Sequence, residues 1–161
     1  MNENSSQFPT TKMAKDIARV RLRRLDSLGS DAELALLANG TPEQQRQANI
    51  YTMMRHYDLI RSFMVDEIGK RFQMLDYTFE PMNMNAFFTR YLQAHESVQT
   101  WVESAQKRIK SVLMHILREG GYLESAYSTT LVPPLLDYEV EGVIRANGDA
   151  TWLPAFNCME V

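Results

Sequence analysis

A chain of 161 residues with 45% apolar content can bury a real core as one domain, or as two small lobes sharing a core, and is too apolar for a disordered polymer. Its net charge of −3 excludes a global attraction to nucleic acid, so any such binding must come from a local patch. The single cysteine, Cys158, cannot form an internal disulfide. No secretory signal opens the chain, and no apolar run approaches the roughly 18 residues that cross a bilayer, so a cytoplasmic protein without membrane association is expected.

Residues 1–11 are polar, with Ser5, Ser6 and Pro9, and read as a flexible tail. A helix is expected over 12–28, ended by Gly29. Ser30 with Glu33 makes a capping box for a short helix carrying Leu34, Leu36 and Leu37, which Asn39 and Gly40 stop. Thr41-Pro42-Glu43-Gln44 is a second start signal, combining a cap, a proline at the first helical position and a glutamine reaching back; its helix runs to about His56. Asp58 caps the next helix, through Ile60, Phe63, Met64, Ile68 and Phe72, and a loop occupies 76–81. Asn83 or Asn85 starts a segment with Phe87, Phe88, Tyr91 and Leu92. Thr100 with Glu103 opens the clearest helix, with Val102, Ala105, Ile109, Val112, Leu113, Ile116 and Leu117 on one face and Gly120-Gly121 at its end. Beyond it, Tyr122-Leu123 and Leu131-Val132 read as extended, and Pro133-Pro134 forbids helix. Residues 137–146 form a last short helix ended by Asn147-Gly148, and Trp152-Leu153 reads as extended. The fold class is therefore mainly α: a compact helical bundle with a few short extended segments and a helix-turn-helix or winged-helix-like C-terminal part. The expected division is an N-terminal helical lobe over 12–80 and a winged-helix-like lobe over 81–161, sharing one core.

Catalytic chemistry finds little to stand on. His56, His95 and His115 lack a ligand partner at helical spacing, so no metal site is expected. No nucleophile elbow, phosphate loop or dinucleotide fingerprint occurs, so neither a cofactor nor a small-molecule substrate is indicated. Asp66 and Glu67 are adjacent on a helix and diverge; they read as solvated helix charges. Met53, Met54, Met64 and Met74 read as core filler rather than an adaptable surface.

Two basic clusters stand out. Residues 12–24 carry a local charge of +5, whereas 120–161 carry −5. At 100° per residue, Lys12, Lys15, Arg19 and Arg23 fall within roughly 80° of one another and form a stripe suited to tracking phosphates. An ordinary solvated helix face explains the same stripe equally well. Arg21 points toward the apolar arc. The second cluster comprises Lys107, Arg108 and Lys110, with Ser111, Met114 and Arg118 also off the buried face. A basic helix, a glycine stop and short extended segments follow the order of a winged helix-turn-helix, although many helical interaction domains carry a basic face.

These blocks occur in a familiar order. Ala18 to Leu25, Tyr57 to Phe63 and Phe87-Phe88 precede Trp101 and the run Lys107-Arg108-Ile109-Lys110-Ser111-Val112-Leu113, which continues through Ile116 to Leu123. The order resembles the BrxA family, the small helical component of bacteriophage-exclusion (BREX) defence systems, from about Lys12 to Phe156. The chain is shorter at its N-terminus than that resemblance leads one to expect. The resemblance implies a helix-dominated protein with helix-turn-helix-like parts that binds DNA and helps exclude phage without catalysis. The basic positions matching the family are Arg19, Arg21, Arg23, Arg24, Lys107, Arg108 and Lys110.

Three readings remain at this stage. The first is a non-enzymatic protein binding double-stranded DNA through phosphate contacts from Lys12, Lys15, Arg19, Arg23, Lys107, Arg108, Lys110 and Ser111. The second is a protein-protein adaptor among other defence-system proteins, through the acidic C-terminal part and the aromatic run Phe87, Phe88, Tyr91. The third is a helical RNA-binding protein using the same basic faces.

Overall fold

The computed structural model describes residues 31–160; the expected tail and the basic helix over 12–28, with Lys12, Lys15, Arg19 and Arg23, lie outside the described residues. The described chain is mainly helical, as expected. Helix α1 spans Asp31–Asn39 and α2 spans Pro42–His56. Gly40 lets the chain turn between them, since a Cβ there would stand 2.4 Å from the Leu36 carbonyl oxygen. The Thr41 capping box forms as read from the sequence: Thr41 Oγ1 accepts from the Gln44 amide at 3.2 Å, and Gln44 Oε1 accepts from the Thr41 amide at 2.9 Å.

Tyr57 is extended and breaks the helix. The chain then enters a rod made of α3 (Asp58–Ser62), a π-helical stretch (Phe63–Gly69) and α4 (Lys70–Gln73). Asp58 does not cap this rod, because it already lies in the first turn; its carboxylate meets Arg61 and accepts from the Tyr91 hydroxyl at 3.0 Å. Ile60, Phe63, Met64 and Ile68 are completely buried, so the rod is the centre of the core. The wider π turns alter which positions face inward. Glu67 is buried with them, which corrects its reading as a solvated helix charge. Its carboxylate accepts from Arg71 Nε at 2.9 Å and from Arg90 at 2.6 Å, while Asp66 stays at the surface 4.0 Å from Lys70.

Helix α5 runs over Pro81–Ala94. It starts before Asn83 and Asn85 because Glu80 is the cap and Asn83 closes the capping box, accepting from the Glu80 amide at 2.7 Å. Met84, Phe87, Phe88 and Tyr91, at helical spacing, bury its inner face. Helix α6 runs over Glu103–Glu119 and buries Ile109, Val112, Leu113, Ile116 and Leu117. The expected Thr100 cap does not form: Val102 occupies that position, 65% exposed and without a side-chain hydrogen bond. Gly120 and Gly121 end α6 as expected, Gly121 at a φ of 80°.

After α6 the chain is extended, and among the described residues no wing hairpin forms. One hydrogen bond, from the Val132 amide to the Tyr122 carbonyl at 2.8 Å, joins the two extended pieces. The second piece pairs chiefly with 77–79 instead. Phe79 donates to the Thr129 carbonyl at 2.8 Å, Leu131 donates to that of Tyr77 at 2.7 Å, and Thr78 bridges Thr130. Helix α7 spans Tyr138–Ala146 and is capped by Asp137, whose carboxylate accepts from the Glu139 amide at 2.9 Å. Residues Ala150–Phe156 form a 3-10 helix, not the extended piece expected around Trp152-Leu153. Buried Leu153, Ala155 and Phe156 press this segment against the π stretch.

Polar groups tie the ends together. Glu33 is fully buried. Its carboxylate meets Thr52 Oγ1 at 3.1 Å, Arg55 at 3.5 Å and Asn147 Nδ2 at 3.4 Å. Gln47 donates to the Leu135 carbonyl and accepts from the Asp137 amide, both at 2.9 Å, fixing the approach to α7. Met53, Met54 and Met64 fill the core as expected; Met74 is 75% exposed and does not, because it lies at the end of α4.

Two expectations follow from this packing. A Cβ at Gly69 would sit 3.0 Å from the Ala155 nitrogen and the Pro154 carbonyl carbon, both backbone atoms. Gly69→Ala therefore destabilises the fold by about 1–3 kcal/mol through overpacking. Gly142 is exposed within α7, and its Cβ would meet nothing within 4 Å; Gly142→Ala stabilises by roughly 0.5–1 kcal/mol. Urea unfolding of both variants against the parent checks the opposite signs.

Burial, reinforced by the hydrogen bond to Asp58, pushes the Tyr91 phenol up from 10.0 to about 12. Tyr51 and Tyr122 are raised too, mainly by burial. A folded-state value above the unfolded one stabilises the fold below the unfolded value and is lost as pH rises through the folded one. Stability thus falls between about pH 10 and about pH 12, and Tyr91→Phe makes that fall shallower. Urea midpoints across the window test it; an unchanged slope in the variant contradicts the assignment.

Candidate nucleic-acid interface

Helix α6 exists because its apolar residues recur at helical spacing, and the same geometry decides what its other face presents. At 100° per residue, Lys107, Lys110, Ser111, Met114 and Arg118 fall within roughly 100° of one another, opposite the buried row. Lys107 and Arg108 are exposed, and Lys110 and Arg118 are half-buried. Arg108 lies to one side of the stripe. The four predicted residues that are described, Lys107, Arg108, Lys110 and Ser111, are thus brought together on one helix.

Their local partners differ. Lys107 Nζ stands 3.7 Å from Glu103 in an exposed pair that contributes little. Ser111 donates to the Lys107 carbonyl at 3.1 Å, so its oxygen keeps its capacity to accept. Lys110 is the best-positioned cation: Nζ donates to Asn85 Oδ1 at 3.0 Å and lies 5.2 Å above the Phe88 ring. Both contacts come from α5, which anchors the ammonium without neutralising it. Arg118 has no ion-pair partner among the described residues.

Beside this stripe lies a groove of about 520 Å³. The start of α5 forms one wall through Pro81, Met84 and Asn85. The other side is the loop 126–129, held by the pairing with 77–79. Tyr127 stands on its rim, 94% exposed. The sequence pattern marks Arg118 as basic and off the buried face but does not set Asn85 and Tyr127 beside it. The signal for Tyr127 was available: a lone aromatic within the small polar run Ser125 to Thr130, just after the glycine stop.

Two further hollows have different chemistry. One of about 570 Å³ surrounds Glu67, Arg71 and Arg90, where the carboxylate pairs with both guanidinium groups. The other, of about 620 Å³ between α1 and α7, is lined by small apolar residues and contains Glu139 but no cation. Neither offers a set of free positive charges to a phosphate backbone. Among the described residues, no group of three or more His, Cys, Asp or Glu could hold a metal ion, and no helix is long and apolar enough to cross a membrane.

Residues 1–148, which include all of α6 and the groove, match the family model of BrxA. The chain belongs to the BrxA family. That family is part of the BREX anti-phage systems. A relative from Bacillus cereus (strain H3081.97), named BREX protein BrxA, is 29% identical over 154 residues, covering 95% of this chain and 76% of the relative. An uncharacterized protein from Magnetospirillum magneticum, known from its crystal structure, shares the fold with a TM-score of 0.73. At 17% identity, over 83% of this chain and 70% of that one, the likeness concerns architecture alone. The Lys107–Leu123 block, on which the resemblance chiefly rested, supplies the basic face of α6 in this BrxA-family chain.

Proposed function

We propose that this BrxA-family chain is a non-catalytic, cytoplasmic component of its BREX system that binds double-stranded DNA through phosphate contacts. The observation that carries the reading is the outer stripe of α6, where Lys107, Lys110 and Arg118 align and Lys110 is anchored by Asn85 and Phe88. Arg108 and Ser111 extend the face. Lys12, Lys15, Arg19 and Arg23 add phosphate contacts from the leading segment, on the strength of their sequence spacing. Lysine and arginine placed this way position a protein on a duplex with little base readout. They draw affinity from counterion release.

A second reading, an adaptor for other BREX proteins, loses the aromatic run Phe87, Phe88, Tyr91, which is buried, and is favoured instead by a separate surface. Leu135 and Tyr138 are 91% and 78% exposed next to Glu139 and Glu141, an apolar and acidic mixture suited to a basic partner. Charge reversal on α6 discriminates the two, since it weakens phosphate binding and leaves this separate acidic surface unchanged.

The test is fluorescence anisotropy with a labelled duplex at about 50 and 200 mM salt, the range over which counterion release is steep. The parent is compared with Lys107→Glu/Lys110→Glu, whose fold is checked by circular dichroism. Steep weakening by salt, a salt slope reduced by about one for each lost phosphate contact, and markedly lower affinity of the variant support the reading. Absence of binding at low salt overturns it and turns the search to a protein partner.

A further inference from the structure

A phosphate-binding face needs cations, not an apolar groove, yet one adjoins the stripe of α6. Its volume of about 520 Å³ lies within the range of small-molecule pockets. Phe79, Met84 and Met114 line it between Lys110 and Arg118. These cations are eight residues apart on α6, about 12 Å along its axis. The lining of the groove is net positive, because Lys110 and Arg118 outnumber the one carboxylate there, Glu80. Arg118 has no ion-pair partner among the described residues.

The rim carries the second observation. Tyr127 is 94% exposed and lines the same groove. Its loop is held in place before any ligand arrives. Ser128 donates from its amide to the Ser125 carbonyl at 3.3 Å, and Thr129 accepts from the Phe79 amide at 2.8 Å. Little backbone freedom of the loop is then lost on binding. Asn85 uses its carbonyl oxygen on Lys110, which leaves its amide hydrogens available to an acceptor in the groove.

A fully stacked duplex presents phosphates to such a site but no apolar face to fill it. An unstacked nucleotide presents both, and aromatic side chains beside cationic grooves take up such bases by stacking. We propose that this groove binds a single extrahelical nucleobase stacked on Tyr127, with Lys110 and Arg118 on the flanking phosphates. The inference rests on the DNA-binding reading above and deepens it, from a passive hold on the duplex to preference for a locally unpaired site.

Three labelled probes test it by anisotropy at low salt: an intact duplex, the same duplex with one extrahelical adenine, and that bulge with an abasic nucleotide in place of the adenine. The abasic probe keeps the backbone and removes only the base. The adenine bulge is expected to bind roughly tenfold tighter than the abasic bulge, as for one stacked base. Tyr127→Ala erases that difference, whereas Tyr127→Phe retains it. Because Tyr127 is almost wholly exposed, its replacement does not threaten the fold. Equal affinity of the parent for the two bulges, or a preference that survives Tyr127→Ala, overturns the inference and leaves the groove to an apolar side chain of a protein partner. If the intact duplex still binds in that case, phosphate binding stands; if no probe binds, both readings fall.

Discussion

Everything in this fold is arranged around the burial of the rod from Asp58 to Gln73. Ile60, Phe63, Met64 and Ile68 are removed from water completely, each contributing about 1.5–3 kcal/mol against an exposed side chain. Phe79 and Phe87 meet the Phe63 ring at 5.9 and 5.2 Å. The 3-10 segment comes so close to the π stretch that a Cβ on Gly69 would stand 3.0 Å from its backbone. The π turns also bring a carboxylate into this packed interior. An unpaired buried Glu67 would be costly, so Arg71 and Arg90 must accompany it, one from α4 and one from α5.

A second buried carboxylate, Glu33, performs the same kind of joining between other elements. With Thr52, Arg55 and Asn147 it connects α1, α2 and the end of α7. Tyr51 extends this network, donating to Asp149 at 2.6 Å and accepting from Asn147 at 3.0 Å. Such groups carry geometric information that apolar packing lacks: a slipped helix would leave a buried charge without its partner. The acidic C-terminal part thus contributes structural ligands as well as surface charge.

The consequence for function is a division of surfaces. The inner face of α6 is committed to the core, so its outer face is free to carry cations. The start of α5 stands close enough to hold Lys110 in place. The pairing of 77–79 with 129–131 then sets the loop bearing Tyr127 beside that face. The exposed Leu135 and Tyr138 belong to a separate acidic region around α7. One small helical protein in this way presents a basic face on α6 and a separate acidic, partly apolar surface around α7.

The sequence by itself determined what depends on near neighbours. The Thr41 capping box, the glycine stop after α6, the helical class and the basic face of α6 each follow from residues within a turn or two of one another. Membership of the BrxA family was legible in the order of its blocks. Tertiary structure alone decided the rest. Glu67 looked like an ordinary surface charge until the π turns and two arginines, Arg90 among them from another helix, took it inside. Thr100 had the composition of a cap, yet α6 began only after Val102. Trp152-Leu153 had an extended look, but burial of Leu153, Ala155 and Phe156 against the rod accompanies a 3-10 turn. Tyr127 was visible as a lone aromatic, but its place beside Lys110 and Arg118 depends on a pairing between residues about fifty apart, Thr78 with Thr130. Local propensity is written in adjacent residues; these outcomes were set by contacts between segments distant in the chain, which no sequence window contains.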